Sequence, residues 1–169
     1  MKERPLIGKG KRGTLAVIKF PMFMFKLYSR ITRGKTLGAR VAVFDEQGRV
    51  LLVKASYVSG WNLPGGGVDP GETLRGAAIR ELREEASVEP LDSLRLHGIF
   101  SNEKSFRGDH VAVYVCRKFR QAQFTANIEI TDAQFFPTDG LPDDLNQGAR
   151  ARIGEIISGG GQLSDDWST

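Results

Sequence analysis

Gly66-Gly67-Val68-Asp69-Pro70-Gly71-Glu72-Thr73-Leu74-Arg75-Gly76-Ala77-Ala78-Ile79-Arg80-Glu81-Leu82-Arg83-Glu84-Glu85-Ala86-Ser87-Val88 sets a glycine-rich turn directly before an amphipathic helix. Asp69-Pro70-Gly71 is a turn signal, and Thr73 carries the side-chain oxygen that a helix N-cap needs. The spacing predicts a helix over Thr73 to Ala86. Leu74, Ala77, Ala78 and Leu82 recur at helical spacing and are expected to face a core. Glu81, Glu84 and Glu85 stand at i, i+3 and i+4, on a single face turned toward the glycines. Like charges so placed repel by roughly 0.2–0.5 kcal/mol per pair on an open helix. A helix that gathers them has a counter-charge to hold. Oxygen-only ligands of this kind suit Mg²⁺ or Mn²⁺ rather than Zn²⁺.

These residues resemble the Nudix box: Gly66, five residues, Glu72, seven residues, Arg80-Glu81, an aliphatic residue, any residue, Glu84-Glu85, any residue, then glycine and an aliphatic residue. One position departs from the pattern, because Ser87 stands where the family has glycine. That position follows the helix, where the left-handed region is favoured. Serine there costs about 1 kcal/mol if its φ is positive. No metal ligand is lost by the change. Weaker likenesses extend over roughly residues 37–140.

The resemblance implies an α/β/α sandwich with a mixed central sheet. It also implies Mg²⁺- or Mn²⁺-dependent hydrolysis of a phosphoanhydride bond in a nucleoside diphosphate linked to another moiety. By the same resemblance Glu84 and Glu85 are metal ligands, Glu81 is a ligand or the general base, and the Gly66 carbonyl is a further ligand. Arg80 would orient the glutamates through charged hydrogen bonds, and Glu72 would brace the loop. The family often adds an acidic residue outside the box; Glu129 is the expected one, with Glu103 and Asp109 as rivals. Family members are often homodimers, although no residue here defines such a surface.

Outside the box the signals are weaker. Arg40 and Lys54, on neighbouring strands, are candidates for substrate phosphates, against the default of a solvated strand edge. Trp61 and Tyr57 could stack on a base or pack in the body of the protein. His97 and His110 lie in strand-like runs and read as structural. The approach Leu63-Pro64-Gly65-Gly66-Gly67 resembles nucleotide-pool members, including those that cleave nucleoside triphosphates to monophosphates. The alternatives are an RNA 5′-end pyrophosphohydrolase and a nucleotide-binding module that does not hydrolyse.

A chain of 169 residues suits one domain with a proper core. Its 40% hydrophobic and 26% charged content describes a soluble globular protein. The lone Cys116 excludes an intramolecular disulfide and a cysteine-based zinc site. Lying in an apolar run, it reads as a buried strand thiol, and a reducing, cytoplasmic location is expected. Charge is unevenly spread: residues 1–40 hold eleven Lys or Arg against one Glu, whereas the remainder holds thirteen basic and nineteen acidic residues. The expected division is a basic extension over residues 1–35, the catalytic domain over 36–160 and a loose tail over 161–169. The extension is too short and too interrupted to span a bilayer, and a secretory cleavage site does not follow. It reads as a loosely docked arm, with acidic lipid headgroups or nucleic-acid phosphates as alternative contacts.

Thr36 to Phe44 and Arg49 to Tyr57 read as hairpin partners around the turn Asp45-Glu46-Gln47-Gly48. Further strands are expected over Leu94 to Asn102, His110 to Phe119 and Asp132 to Phe136. A second helix is expected from Ala149 to Ser158, stopped by three glycines.

Overall fold

The computed structural model describes residues 35–159 and 164–169. The readings of the N-terminal arm lie outside those residues. In chain order the elements are β1 (Thr36–Val43), β2 (Val50–Ala55), β3 (Trp61–Asn62), β4 (Gly65–Gly67), α1 (Leu74–Ala86), β5 (Val88–Pro90), β6 (Arg95–Ser101), β7 (Asp109–Cys116), β8 (Phe119–Gln121), β9 (Ile130–Phe136) and α2 (Gln147–Ile157).

β1 and β7 are rich in valine and alanine and buried on both faces, a composition tolerated only in a layer covered twice. They pair in parallel from Thr36↔Asp109 to Val43↔Cys116. β4 and β6 flank them antiparallel, giving a mixed sheet in the order β4-β1-β7-β6. A second sheet runs β3-β2-β9, and β5 pairs with β8.

Alternate side chains of these strands feed two cores. Ala77, Ala78, Leu82 and Ala86 of α1 pack with Val41, Val43, Leu51, Val53 and Tyr114. Ala149, Ile153 and Ile156 of α2 pack on the opposite face with Phe44, Leu52, Phe100, Val113 and Val115. The expected α/β/α sandwich is thus present. Cys116 is buried in its strand, and that burial pushes its thiol up to about 11. Among the described residues no helix is long and apolar enough to cross a membrane.

Three expectations are corrected. The turn at Asp45 forms, with the Arg49 and Gln47 amides donating to Asp45 Oδ1 at 2.8 and 3.1 Å. Beyond the single bridge Phe44↔Val50, however, its two strands part. Both edges of β1 are already occupied, by β4 and β7, so β2 pairs with β3 and β9 instead. The glycine turn is itself partly a strand. A Cβ at Gly65 (φ +141°) would stand 2.0 Å from the Ala39 carbonyl oxygen, so only glycine permits β4 to lie against β1 there.

The tail is the third correction, for residues 164–169. Ser101 donates its amide to Asp165 O at 2.7 Å, and the Trp167 amide donates to Ser101 O at 2.8 Å. The Trp167 indole is buried in the α2 core against Gly148. Fully buried Arg152 donates to Asp166 O (2.9 Å), to Glu155 Oε1 (2.7 Å) and to Thr169 O. Its guanidinium also lies 4.1 Å from the centre of the Phe100 ring. A large indole and a chelating arginine outweigh the polarity that made this stretch look loose.

Helix boundaries follow their caps. Thr73 Oγ1 accepts from the Gly76 amide at 3.0 Å, as expected of an N-cap. α2 begins earlier than expected because Asn146 Oδ1 accepts from the Ala149 amide at 3.1 Å. Ser87 closes α1 at φ 54°, ψ 35°, the left-handed conformation for which glycine is better suited.

Candidate metal centre and substrate cleft

β4 and α1 meet where the glycines leave room. A Cβ at Gly66 would stand 2.4 Å from Glu81 Oε1, so the carboxylate of Glu81 occupies the space that any side chain would fill. The Gly65 amide donates to Glu85 Oε2 at 2.7 Å. Two of the three aligned glutamates are therefore held against the strand, while Glu84, 60% exposed, stands at the rim. Arg80 ties the group together. Its Nη1 donates to Glu81 Oε1 (2.8 Å) and to Glu84 Oε2 (3.2 Å). Its Nε and Nη2 grip the two oxygens of Glu72 at 3.1 Å each, and Nη2 also reaches Gly67 O at 3.0 Å. Glu72 in turn accepts the Asp69 amide at 3.2 Å, which fixes the loop entering the helix.

The electrostatics show how much negative charge is gathered. Burial pushes the Glu85 carboxyl up to about 7; the charges of Glu81 and Glu129 add to this, while the Gly65 amide and Arg40 oppose it. Burial also raises Glu81 above the usual carboxylate range, against the pull of Arg80. Glu72, by contrast, is held below that range by its hydrogen bond from Arg80. Among the described residues no three His, Cys, Asp or Glu side chains are gathered as a ready-made cage. The donor chemistry nevertheless fits a hard divalent cation, which binds oxygen ligands. It consists of oxygens, the carboxylates among them including those of buried Glu85 and partly buried Glu81, both raised above the usual carboxylate range.

The other residues singled out in the sequence separate into groups. Arg40 reaches the centre, but its Nη1 donates to Leu63 O and Gly65 O and so holds the loop before β4. Lys54 points elsewhere, 3.8 Å from Asp144 Oδ2 and 5.7 Å from the centre of the Trp61 ring. Of the two readings of Trp61, packing is the one its position accords with: it is built into the α2 core, edge-on to Phe136 at 4.8 Å. Glu129 is exposed, and its charge acts on both Glu85 and Tyr57. Its rivals are engaged away from the glutamates. Glu103 accepts the Gly108 amide at 2.7 Å, and Asp109 accepts from Thr36 Oγ1 (2.6 Å) and Asn102 Nδ2 (2.8 Å). His97 is structural, 2.9 Å from Glu155 on α2.

Beside Glu85 a small cleft is lined by Arg40 of β1, Val53 of β2, Tyr57 and Val58 of the loop that follows, Asn62 of β3 and Glu85 of α1. Asn62 was missed by the sequence reading, and no local pattern marks it. It reaches the cleft only because Val53 pairs with Asn62 across β2 and β3.

The NUDIX domain profile matches residues 34–155, which takes in α1, most of α2 and the centre just described. The chain belongs to the NUDIX family. Nudix hydrolases generally use divalent metal cations, in keeping with the donor set above. The NUDIX chain is 44% identical over 69 residues to a Bacillus subtilis protein described as “Putative 8-oxo-dGTP diphosphatase”, covering 41% of this chain and 46% of that one. It is 37% identical over 100 residues to diphosphoinositol polyphosphate phosphohydrolase 2 of Homo sapiens, covering 59% of this chain and 54% of that one. It thus spans about half the length of the curated relatives it matches. The crystal structure of the MutT NUDIX hydrolase from Burkholderia pseudomallei shares the fold. Its TM-score is 0.63 at 24% identity, over 72% of this chain and 98% of that one.

Proposed function

We propose that the chain is a divalent-metal-dependent pyrophosphohydrolase that cleaves a phosphoanhydride bond in a small nucleotide, such as a nucleoside triphosphate. One observation carries this reading: Glu81 and Glu85 are packed on the glycine strand while Arg80 joins Glu72, Glu81 and Glu84 in one network. Glu84, Glu85, Glu81 and the Gly66 carbonyl would hold Mg²⁺ or Mn²⁺, with Glu129 adding negative charge nearby. When bound, such a cation neutralises a diphosphate and makes bound water acidic.

The residues of the chain do the rest. Arg80 fixes the carboxylate rotamers through charged hydrogen bonds, and Glu72 fixes Arg80. Glu81 serves as a further ligand or takes the proton from the attacking water. A cytoplasmic setting accords with the buried free thiol of Cys116. The name of the Bacillus subtilis relative, which specifies a nucleotide, supports the substrate class.

The test is Glu84→Gln, assayed on a panel of nucleoside triphosphates, ADP-ribose, dinucleotides and 5′-triphosphorylated RNA with Mg²⁺ or Mn²⁺. Turnover should fall by about 10²-fold or more with the circular dichroism spectrum unchanged. An undiminished rate refutes the assigned role. Preference for the RNA, with steep salt dependence, would favour the 5′-end reading suggested by the eleven basic residues among the first 40.

A further inference from the structure

A second groove lies at the other end of β2 from the cleft. It opens where the turn after β1 meets the connection from β7 into β8 and Phe135 of β9, and it encloses about 490 Å³. That is within the range of roughly 300–1,000 Å³ found for small-molecule pockets. Arg49 lines this groove and Ala55 lines the cleft beside Glu85, so about 20 Å of extended chain separates the two.

The groove is aromatic and cationic at once. The rings of Phe119 and Phe135 line it, stacked 15° from parallel with their centres 5.9 Å apart, and each is only partly buried. They come from strands of different sheets and so brace each other. Leu91 adds an apolar side chain, 57% exposed. Two guanidinium groups flank the rings. Arg49 donates from Nε to Asp45 Oδ2 at 2.7 Å and lies 5.7 Å from the centre of the Phe135 ring. Its Nη1 and Nη2 find no acceptor among the described residues. Arg117 lies 4.7 Å from the centre of the buried Phe44 ring, which steadies its planar fork. Among the described residues that fork makes neither a hydrogen bond nor an ion pair.

The remaining charges limit what can enter. Lys118 pairs with Asp92 at 3.1 Å, Asp45 is occupied by Arg49, and exposed Glu46 stands in the lining. A long polyanion such as a nucleic-acid strand would meet Asp92 and Glu46 along with the arginines. A small ligand with one anionic group can engage the forks alone, and a guanidinium matches a carboxylate or a phosphate in geometry.

We infer that this groove binds a flat aromatic compound bearing one phosphate or carboxylate group: the ring lies against Phe119 and Phe135, and the anion takes the free guanidinium edges of Arg49 and Arg117. The site stands apart from the hydrolytic reading, because none of its residues belongs to the glutamate centre.

The test is an amide-resolved NMR titration, in EDTA, with naphthyl phosphate, naphthoate, naphthol and inorganic phosphate. The two aromatic anions should shift the amides of Gln47, Arg49, Lys118 and Gln121 and leave those of Gly65 and Gly66 unmoved. The tighter of the two identifies the anion. Naphthol and inorganic phosphate should each bind at least about tenfold more weakly. Arg117→Ala, a change at an exposed side chain, should weaken both aromatic anions by about tenfold. Phe119→Leu should weaken them and leave the response to inorganic phosphate as it was. The unshifted remainder of each spectrum reports that the variant is folded. The site is overturned by an absence of shifts at the four groove amides, by inorganic phosphate binding as tightly as naphthyl phosphate, or by undiminished affinity in Arg117→Ala.

Discussion

Glu85 is the side chain whose ionisation the fold opposes most clearly. Its carboxyl is raised from 4.5 to about 7, so between those values the folded chain binds a proton more tightly than the unfolded chain does. Stability contributed by this group is therefore present at low pH and lost as pH rises through that window, by at most about 3 kcal/mol. Glu85→Gln keeps an acceptor for the Gly65 amide and removes the charge. The variant should melt higher than the wild type at pH 8 and close to it at pH 4.5. Added Mg²⁺ should raise the wild-type melting temperature at pH 8 and leave the variant where it was; equal shifts in both would argue against this carboxylate as a ligand. Ser87 offers a simpler case. With φ at 54° it carries the cost of a side chain in the left-handed region. Ser87→Gly should stabilise the protein by about 1 kcal/mol in urea titrations, without changing turnover.

At the level of elements, the three glycines of β4 have three different duties. A methyl at Gly65 meets the backbone of β1, one at Gly66 meets the carboxylate of Glu81, and one at Gly67 meets nothing within 4 Å. Gly65→Ala should therefore unfold or badly destabilise the domain. Gly66→Ala should leave it folded and reduce kcat, and Gly67→Ala should change little. Thermal melts and rates measured on the three variants check all of this at once. The helix behind these glycines was legible in the sequence because its determinants are local: Thr73 as cap, small apolar residues at helical spacing, and glutamates one turn apart. The pairing of β1 was not legible. Its partners β7 and β4 are chosen by which edges are free after the chain has folded, and no pattern within Thr36 to Tyr57 records that. Asn62 entered the cleft, and Trp61 the α2 core, for the same reason: the register of β2 against β3 and β9 decides which neighbour faces in.

Across the whole molecule, two cores share one layer of strands, and the candidate centre belongs to the α1 side. The tail closes the other side. Trp167→Ala should cost about 3–5 kcal/mol in denaturant unfolding, while KM and the metal requirement stay as in the wild type. A matched loss of affinity would mean that the two sides are coupled. Nothing local in Ser164 to Thr169 announces this docking except the indole itself, standing among polar residues. Its partners, Gly148 and Ser101, are distant in the chain. Both tryptophans of the chain, Trp61 and Trp167, reside in the α2 core. Intrinsic fluorescence is therefore a lopsided witness: it registers the half sealed by the tail and is silent about the helix bearing the glutamates. Unfolding curves recorded by emission and by far-ultraviolet ellipticity should coincide only if the halves come apart together.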